Sequence, residues 1–454
     1  AGLRAIVATG TRTLQDQLYH RDLPTVSRAL GRAATVRLLK GRGNYLCLQR
    51  LERSRLAAPR GAGRDWRLDL ARVDAWAAAT ASGDIAELSG IGDDATIWPQ
   101  VTSTVNNCLG ADCPFYRDCF LVQARQAARE ADIVVVNHHL LLADLTLREG
   151  GFGQLLPGAD VAVVDEAHHF PDVAQGFFNI SIASGQVRDL LSDIREELAA
   201  TGQGGAVVDE TLGGLRDGLA RLADGLPAGP DTRPWQDGEA SLEEPLEELA
   251  EQLDELALSL SDLSDESSAL RRCRERARES ATAVEKILGA RNDSALRWIR
   301  RSQRGFSINL TPLDTSAQLA ELLESQHCNW IFTSATLAVG DDFGHFRQRL
   351  GLVDIACRRI PSPFDFARIA RLYLPAGLPE PDDPSYTASA VAAALPLIEA
   401  SGGRAFMLFT SHRALRLAAD VLASDRSFHY PLLVQGEAPR SRLLEQFATL
   451  PDAV

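Results

Sequence analysis

Lysine is almost missing from this chain of 454 residues: only Lys40 and Lys286 occur, and arginine supplies nearly all of the positive charge. That scarcity excludes one site outright. A P-loop needs Gly-Lys-Ser/Thr so that its ammonium reaches the β- and γ-phosphates of a nucleotide. Lys40 follows Leu39 and Lys286 follows Glu285, so these residues hold no P-loop. The bias toward arginine otherwise reads as codon usage in a GC-rich genome. Long uncharged apolar runs are missing too, as is a basic-then-apolar leader, so neither a membrane-spanning helix nor a secretory signal is visible. The chain does not open on Met, and its first residues therefore say nothing of targeting. Paired C-x2-C units, the usual mark of a zinc module, do not occur.

What is present is a globular composition, with 45% hydrophobic and 24% charged residues. A length of 454 residues leads us to expect about two to four domains. The net charge of −14 argues at first against nucleic acid, but much of the acid lies between Glu239 and Glu266. A basic groove elsewhere is compatible with an acidic whole. Of seven cysteines, Cys47, Cys108, Cys113 and Cys119 crowd together, while Cys273, Cys328 and Cys357 are scattered. This pattern suits a reducing cytoplasm with one metal site better than a disulfide framework.

Short continuous apolar runs mark buried parallel strands. Ile6–Ala8, Ile133–Val136, Val161–Val164, Trp330–Phe332 and Ala405–Phe409 fit, with helical stretches between them, so an α/β doubly wound sheet is expected. Two interruptions stand out: residues near 45–120, with the cysteines and little periodicity, and residues near 180–305, which read as wholly helical. In the second, Leu242, Leu246, Leu249, Leu253, Leu256, Leu260 and Leu263 form a heptad seam. An antiparallel helical hairpin within the chain is expected there, with an intermolecular coiled coil as the alternative. Leu226 to Gly238 reads as the loop before it. Pro375–Pro384 marks a further boundary, followed by a helix at Ala388–Ala400 and a strand entering a loop at Arg404–Ser411.

Asp165-Glu166-Ala167-His168 closes the run Val161–Val164. At such a strand end, Asp165 suits Mg²⁺, which takes hard oxygen ligands, and Glu166 suits the orientation or deprotonation of an attacking water. His168 would relay nucleotide state. Thr333-Ser334-Ala335-Thr336-Leu337 follows another strand, and its hydroxyls, Ser334 and Thr336 above all, can bond the acidic motif. Thr9-Gly10-Thr11 with Gln15 offers hydroxyls and a helix opening to the phosphates of a nucleic-acid strand. Thr410 is the similar strand-end hydroxyl of the later segment. The adjacent pair His138-His139 points to opposite faces, so structural or nucleotide-domain contacts are expected rather than a shared metal. The cysteine spacing C-x60-C-x4-C-x5-C is compatible with a [4Fe–4S] cluster, with zinc or with free thiols. Tyr45, Phe115, Tyr116 and Phe120 lie beside the cysteines and are expected mainly to shield them.

In order, these motifs resemble the iron–sulfur helicases of superfamily 2, the XPD and DinG group. Thr9–Leu18, Leu39–Cys47, Cys108, Cys113-Pro114, Cys119, Val136–Leu140, Asp165–His168, Thr333–Leu337, Ser362–Asp365 and Gln435–Glu437 carry the likeness, which spans nearly the whole chain. The resemblance implies an α/β fold: a RecA-like motor domain (1–44, 121–180 and 306–375) interrupted by an iron–sulfur domain (45–120) and an all-helical Arch domain (181–305). A second RecA-like domain would begin at 376–454. It further implies an ATP-dependent 5′→3′ DNA helicase, cytoplasmic and bacterial, acting in repair or damage tolerance. ATP, Mg²⁺ and a [4Fe–4S] cluster on Cys47, Cys108, Cys113 and Cys119 would be its cofactors. Single-stranded and forked DNA would be its substrates, with a replication clamp-loader subunit as partner and no membrane. Asp165, Glu166 and His168 would be catalytic, Ser334 and Thr336 coupling, and Thr9, Thr11, Gln15 and Thr410 DNA-binding. The family's P-loop would precede Ala1 and its arginine finger would follow Val454, so this stretch is expected to be an internal portion, inactive alone. The alternatives are a non-motor DNA-binding protein with a structural metal on the same scaffold, and an RNA-acting DEAH helicase, which would leave the cysteines unexplained.

Overall fold

The computed structural model describes every residue except 1, 57–62, 93–94, 150–153, 203–204, 227–230, 236–239, 264–266, 291–293, 303–304 and 439. Its strands are β1 (Ala5–Thr9), β2 (Val36–Leu38), β3 (Ile133–Asn137), β4 (Val161–Asp165), β5 (Ile180–Ala183), β6 (Asp231–Pro234), β7 (Ala295–Ser302), β8 (Gly305–Pro312) and β9 (Asn329–Thr333). The chain divides into two compact units, Ala1–Arg359 and Ile360–Val454. Residues 360–375, assigned from sequence to the end of the first motor domain, therefore fall in the second unit. Among the described residues no helix is long and apolar enough to cross a membrane.

The first unit is built on a five-stranded parallel sheet in the order β2-β3-β1-β4-β9. Four of the apolar runs read from sequence supply β1, β3, β4 and β9. Register explains which residues are buried. Ile6 lies beside Val134 and Ala162, Ala8 beside Val136 and Val164, and Trp330 and Phe332 continue these rows. Side chains alternate across a strand, so all of these share one face. The helices Phe120–Arg129, His138–Glu149, Phe170–Phe177, Ser316–Glu324 and Gly344–Leu350 pack on it. Phe170, wholly buried, meets the His138 ring edge-on and lies against Phe332. On the opposite face, Val7 and Val163 are half-buried and Ile331 is exposed.

Residues 45–120 have a core of their own, made by Leu46, Leu51, Trp66, Val73, Ile97, Trp98 and Val101. Its chain is tied together by backbone bonds from Leu46 N–H to the Gly83 carbonyl and from Cys47 N–H to the Val101 carbonyl, both 2.8 Å.

The segment expected to be wholly helical is not. It carries an antiparallel sheet, β5-β8-β7-β6, packed with the helices Ser184–Thr201, Ala206–Asp224, Ala240–Ser261 and Ser268–Gly289. β8, placed from sequence in the motor domain, belongs to this sheet. β7 escaped notice because its buried face does not read as apolar. Leu296 is exposed, whereas Arg297 is buried with its guanidinium 4.6 Å above the Trp235 ring, a cation–π contact that lets an arginine sit in a core position. The leucine seam lies within the helix Ala240–Ser261 and ends just after it. Leu242 through Leu260 are buried and Leu263 packs beside them, inside the chain. The expected loop 226–238 is interrupted by β6; its residues 227–230 and 236–238 lie outside the described residues.

In the second unit, the expected helix is Tyr386–Ser401. A small core joins Val391, Ala418 and Leu422, with Met407 and Phe409 against it. The expected strand Ala405–Phe409 is not one. Its segment has no ladder among the described residues, only a bond from Ala405 N–H to the Ala453 carbonyl at 3.4 Å. A strand is defined by its pairing, which an apolar run cannot supply by itself.

Candidate functional site

The carboxyl ends of β1, β4 and β9 place three polar side chains in one row. Asp165 pairs in register with Thr333, and Thr9 follows the Ala8–Val164 pair. Thr9 Oγ1 donates to Asp165 Oδ2 at 3.3 Å, and Thr333 Oγ1 donates to Oδ1 at 3.0 Å. Each carboxylate oxygen thus accepts one hydroxyl and keeps a further lone pair. A carboxylate held this way is fixed in rotamer and still able to bind a cation.

Glu166 follows with φ 49°, in the left-handed region. That conformation is unfavourable for a residue with a Cβ and is held by its surroundings. The strand therefore stops at Asp165, and the chain turns into a short helical turn at Ala167–His169. Ser334 Oγ donates to Glu166 Oε2 at 3.3 Å, and His168 Nδ1 lies 2.8 Å from the same Ser334 oxygen. With the Ser334 proton given to Glu166, His168 Nδ1 is the protonated nitrogen. Thr336 N–H also donates to Ser334 Oγ, at 3.3 Å, and the Thr336 hydroxyl is 3.5 Å away. The acidic motif and the turn after β9, 168 residues apart, so form one hydrogen-bonded unit.

The residues expected to grip a strand divide. Thr9 and Gln15 are both fully buried. Thr9 is committed to Asp165, and Gln15 Nε2 points inward to the Leu39 carbonyl at 3.5 Å. Both side chains are turned inward in this structure. Thr11 is exposed and caps the helix Arg12–Gln17 by accepting the Leu14 N–H. Thr410 is exposed in the second unit, next to Ser411, which caps the helix His412–Ser424.

Sequence reasoning passed over two participants. Thr333 was read only as part of a coupling motif, and its register opposite Asp165 carried the missing signal. His138 was read as a structural or nucleotide-domain contact, without a stated partner. It is fully buried, with Nε2 2.8 Å from the Asp165 carbonyl oxygen, while His139 beside it is exposed. Asn137 caps the following helix by accepting the Leu140 N–H at 2.8 Å.

Lys40, excluded above as a P-loop lysine, is buried between Asp84 (2.7 Å) and Asp16 (3.1 Å). Burial opposes its charge, but the hydrogen bond and charge of Asp84, with Asp16, outweigh it and hold its pKa above the ordinary value. The Lys40 N–H donates to the hydroxyl of Tyr45, whose own pKa burial pushes up to about 12. Lys40 thereby joins the helix after β1 to the cysteine region.

Cys47, Cys108, Cys113 and Cys119 are half-buried free thiols. Burial pushes the Cys47 thiol up, and Cys108 and Cys113 add to the shift; Cys113 is pushed up likewise, with Cys108 and Cys119 adding. Cys47 is thus within electrostatic reach of Cys108 and Cys113, and Cys113 of Cys108 and Cys119. Arg125, largely buried, faces Cys108 and Cys119 with Arg42 nearby. Among the described residues no three His, Cys, Asp or Glu side chains converge closely enough to hold one metal ion.

The chain is 40% identical to the ATP-dependent DNA helicase YoaA of Escherichia coli, over 99% of this chain and 71% of that protein. It is 36% identical to YoaA of Haemophilus influenzae, over 98% and 70%. It is 33% identical to the ATP-dependent helicase DinG of Mycobacterium tuberculosis, over 97% and 69%. A structure of S. tokodaii Xpd4 aligns with 98% of this chain and 69% of its own, at a TM-score of 0.42 and 11% identity. No family model matches the chain.

Proposed function

The chain belongs to the DinG/YoaA family of helicases, and from that premise we propose that it is the motor of an ATP-dependent DNA helicase. The observation that carries the proposal is the carboxylate of Asp165 clamped between Thr9 and Thr333, with Glu166 next in the chain. Asp165 would hold Mg²⁺, supplying the hard oxygen donor that this ion requires. Bound there, the ion compensates the charge of the nucleotide phosphates. Glu166 orients the attacking water and accepts its proton. His168, Ser334 and Thr336 pass the change at Glu166 to the end of β9. In this reading Thr11 and Thr410 remain candidates to contact the DNA backbone, and Thr9 and Gln15 do not.

The cysteines fit a [4Fe–4S] cluster. Four free thiols, linked pairwise by electrostatic contact through Cys108 and Cys113 and with the positive charge of Arg125 beside Cys108 and Cys119, suit an anionic group held by four thiolates. We further propose 5′→3′ movement along single-stranded or forked DNA, a role in repair or damage tolerance, and a clamp-loader subunit as partner.

Two measurements test this on the protein as its gene encodes it. DNA-stimulated ATP turnover should vanish in Glu166→Gln while nucleotide binding persists; retained turnover sinks the assignment of Glu166. Iron and acid-labile sulfide should each reach about four per chain in protein purified without oxygen, and fall in Cys108→Ser. Zinc, or no metal, would favour a non-motor scaffold.

A further inference from the structure

His138 sits beneath the acidic motif and touches neither Asp165's carboxylate nor the exposed surface. Its ring is fully buried, packed edge-on against Phe170 with centroids 5.4 Å apart. The backbone at Gly10 closes over it: a Cβ there would stand 3.9 Å from His138 Cε1. Among the described residues its one polar contact is Nε2 with the Asp165 carbonyl oxygen at 2.8 Å. A carbonyl only accepts, so Nε2 carries the hydrogen. Nδ1 is buried without a partner among the described residues, and a second proton there would be an unsatisfied buried donor. Burial accordingly pushes the ring's pKa down to about 4, leaving it neutral.

The carbonyl that His138 holds belongs to the peptide joining Asp165 to Glu166. The orientation of that peptide governs φ of Glu166, and φ of Glu166 is positive at 49°. Glu166 is one of two non-glycine residues of the described chain in that region; the other, Arg404, lies in the second unit. We propose that His138 is a positioning residue for ATP hydrolysis: its Nε2–H pins the Asp165 peptide so that Glu166 stays in the left-handed conformation and faces the attacking water. Without that donor the peptide rotates toward ordinary helical geometry and swings the Glu166 carboxylate away. Asp165 itself stays clamped by Thr9 and Thr333, so nucleotide and metal binding are spared. The inference rests on the reading of Glu166 given above.

The test uses the protein as its gene encodes it, with His138→Met, which removes the donor at similar volume, and His138→Gln, which keeps an N–H donor. We expect His138→Met to lower kcat for DNA-stimulated ATP hydrolysis roughly tenfold and to leave KM for ATP within about twofold. His138→Gln should recover most of the loss. Wild-type kcat in His138→Met, an equal loss in His138→Gln, or a raised KM at unchanged kcat would each overturn the proposal. So would collapse of the fold in His138→Met, which would make His138 a core residue. Glu166→Gln, run beside them, separates the two levels. If it retains turnover, the reading of Glu166 falls; if it abolishes turnover and His138→Met is silent, only the role of His138 falls.

Discussion

Thr333 donates its hydroxyl to Asp165 Oδ1 at 3.0 Å, across the ladder between β9 and β4. Thr9 does the same from β1 to the other oxygen. Valine has nearly the shape of threonine and no hydroxyl, so Thr333→Val and Thr9→Val remove one donor each with little change in packing. A hydrogen bond to a charged group is worth on the order of 1–3 kcal/mol, and part of that is expected in turnover. Each variant should lower ATP turnover roughly five- to tenfold and raise the Mg²⁺ concentration needed for half-maximal rate. Affinity of Thr9→Val for single-stranded DNA should match wild type in a fluorescence-anisotropy titration. Weakened DNA binding with normal turnover would return Thr9 to the strand-gripping role.

Gly83 has φ +65°, and a Cβ there would stand 2.3 Å from Phe120 Cγ. Its carbonyl also accepts the Leu46 N–H, next to Cys47, while Phe120 follows Cys119. Gly83→Ala thus combines an unfavourable backbone conformation with a clash in the small core around the cysteines. A cost of about 2–4 kcal/mol is expected. Limited proteolysis should cut residues 45–120 sooner than in wild type, and iron retained after anaerobic purification should drop. Wild-type protease resistance and iron content would show that Phe120 moves aside freely.

Cys273 is buried on the helix Ser268–Gly289, and burial is the main cause that pushes its thiol from 9.0 up to about 11. The neutral thiol is the form the folded state accepts. Its contribution is therefore complete below pH 9 and is lost as pH rises toward 11. Two pKa units correspond to about 3 kcal/mol. In denaturant melts between pH 8 and 11, wild type should lose stability more steeply than Cys273→Ala by about that amount. Parallel slopes would mean that the thiolate finds solvent. In the same range, exposed Cys357 should react with a thiol reagent well before Cys273.

The motor sheet and its acidic motif were readable because of what burial demands. Strands covered in a parallel sheet need continuous apolar runs, and Ile133–Val136 and Val161–Val164 supply them. Asp165 and Glu166 at the end of such a run stood out for the same reason: the change from apolar to charged marks where a strand leaves the core. The leucine seam of Ala240–Ser261 followed from helical periodicity, which is also local.

What escaped was decided by partners far along the chain. β7 is a strand because β8 and β6 pair with it and because Trp235 covers Arg297; its own residues read as charged. Ala405–Phe409 has the composition of a strand and no ladder. That Thr9 lies 3.3 Å from a carboxylate 156 residues away follows from register, which its own neighbours in the chain do not announce. The order of residues by itself determined which segments leave water and where acidic and hydroxyl groups end a strand, because those depend on neighbours within a turn or two. Only the tertiary structure decided which hydroxyl meets which carboxylate and which imidazole meets which carbonyl. Those bonds depend on strand order and register, and the energy that sets both comes from packing spread over the whole domain.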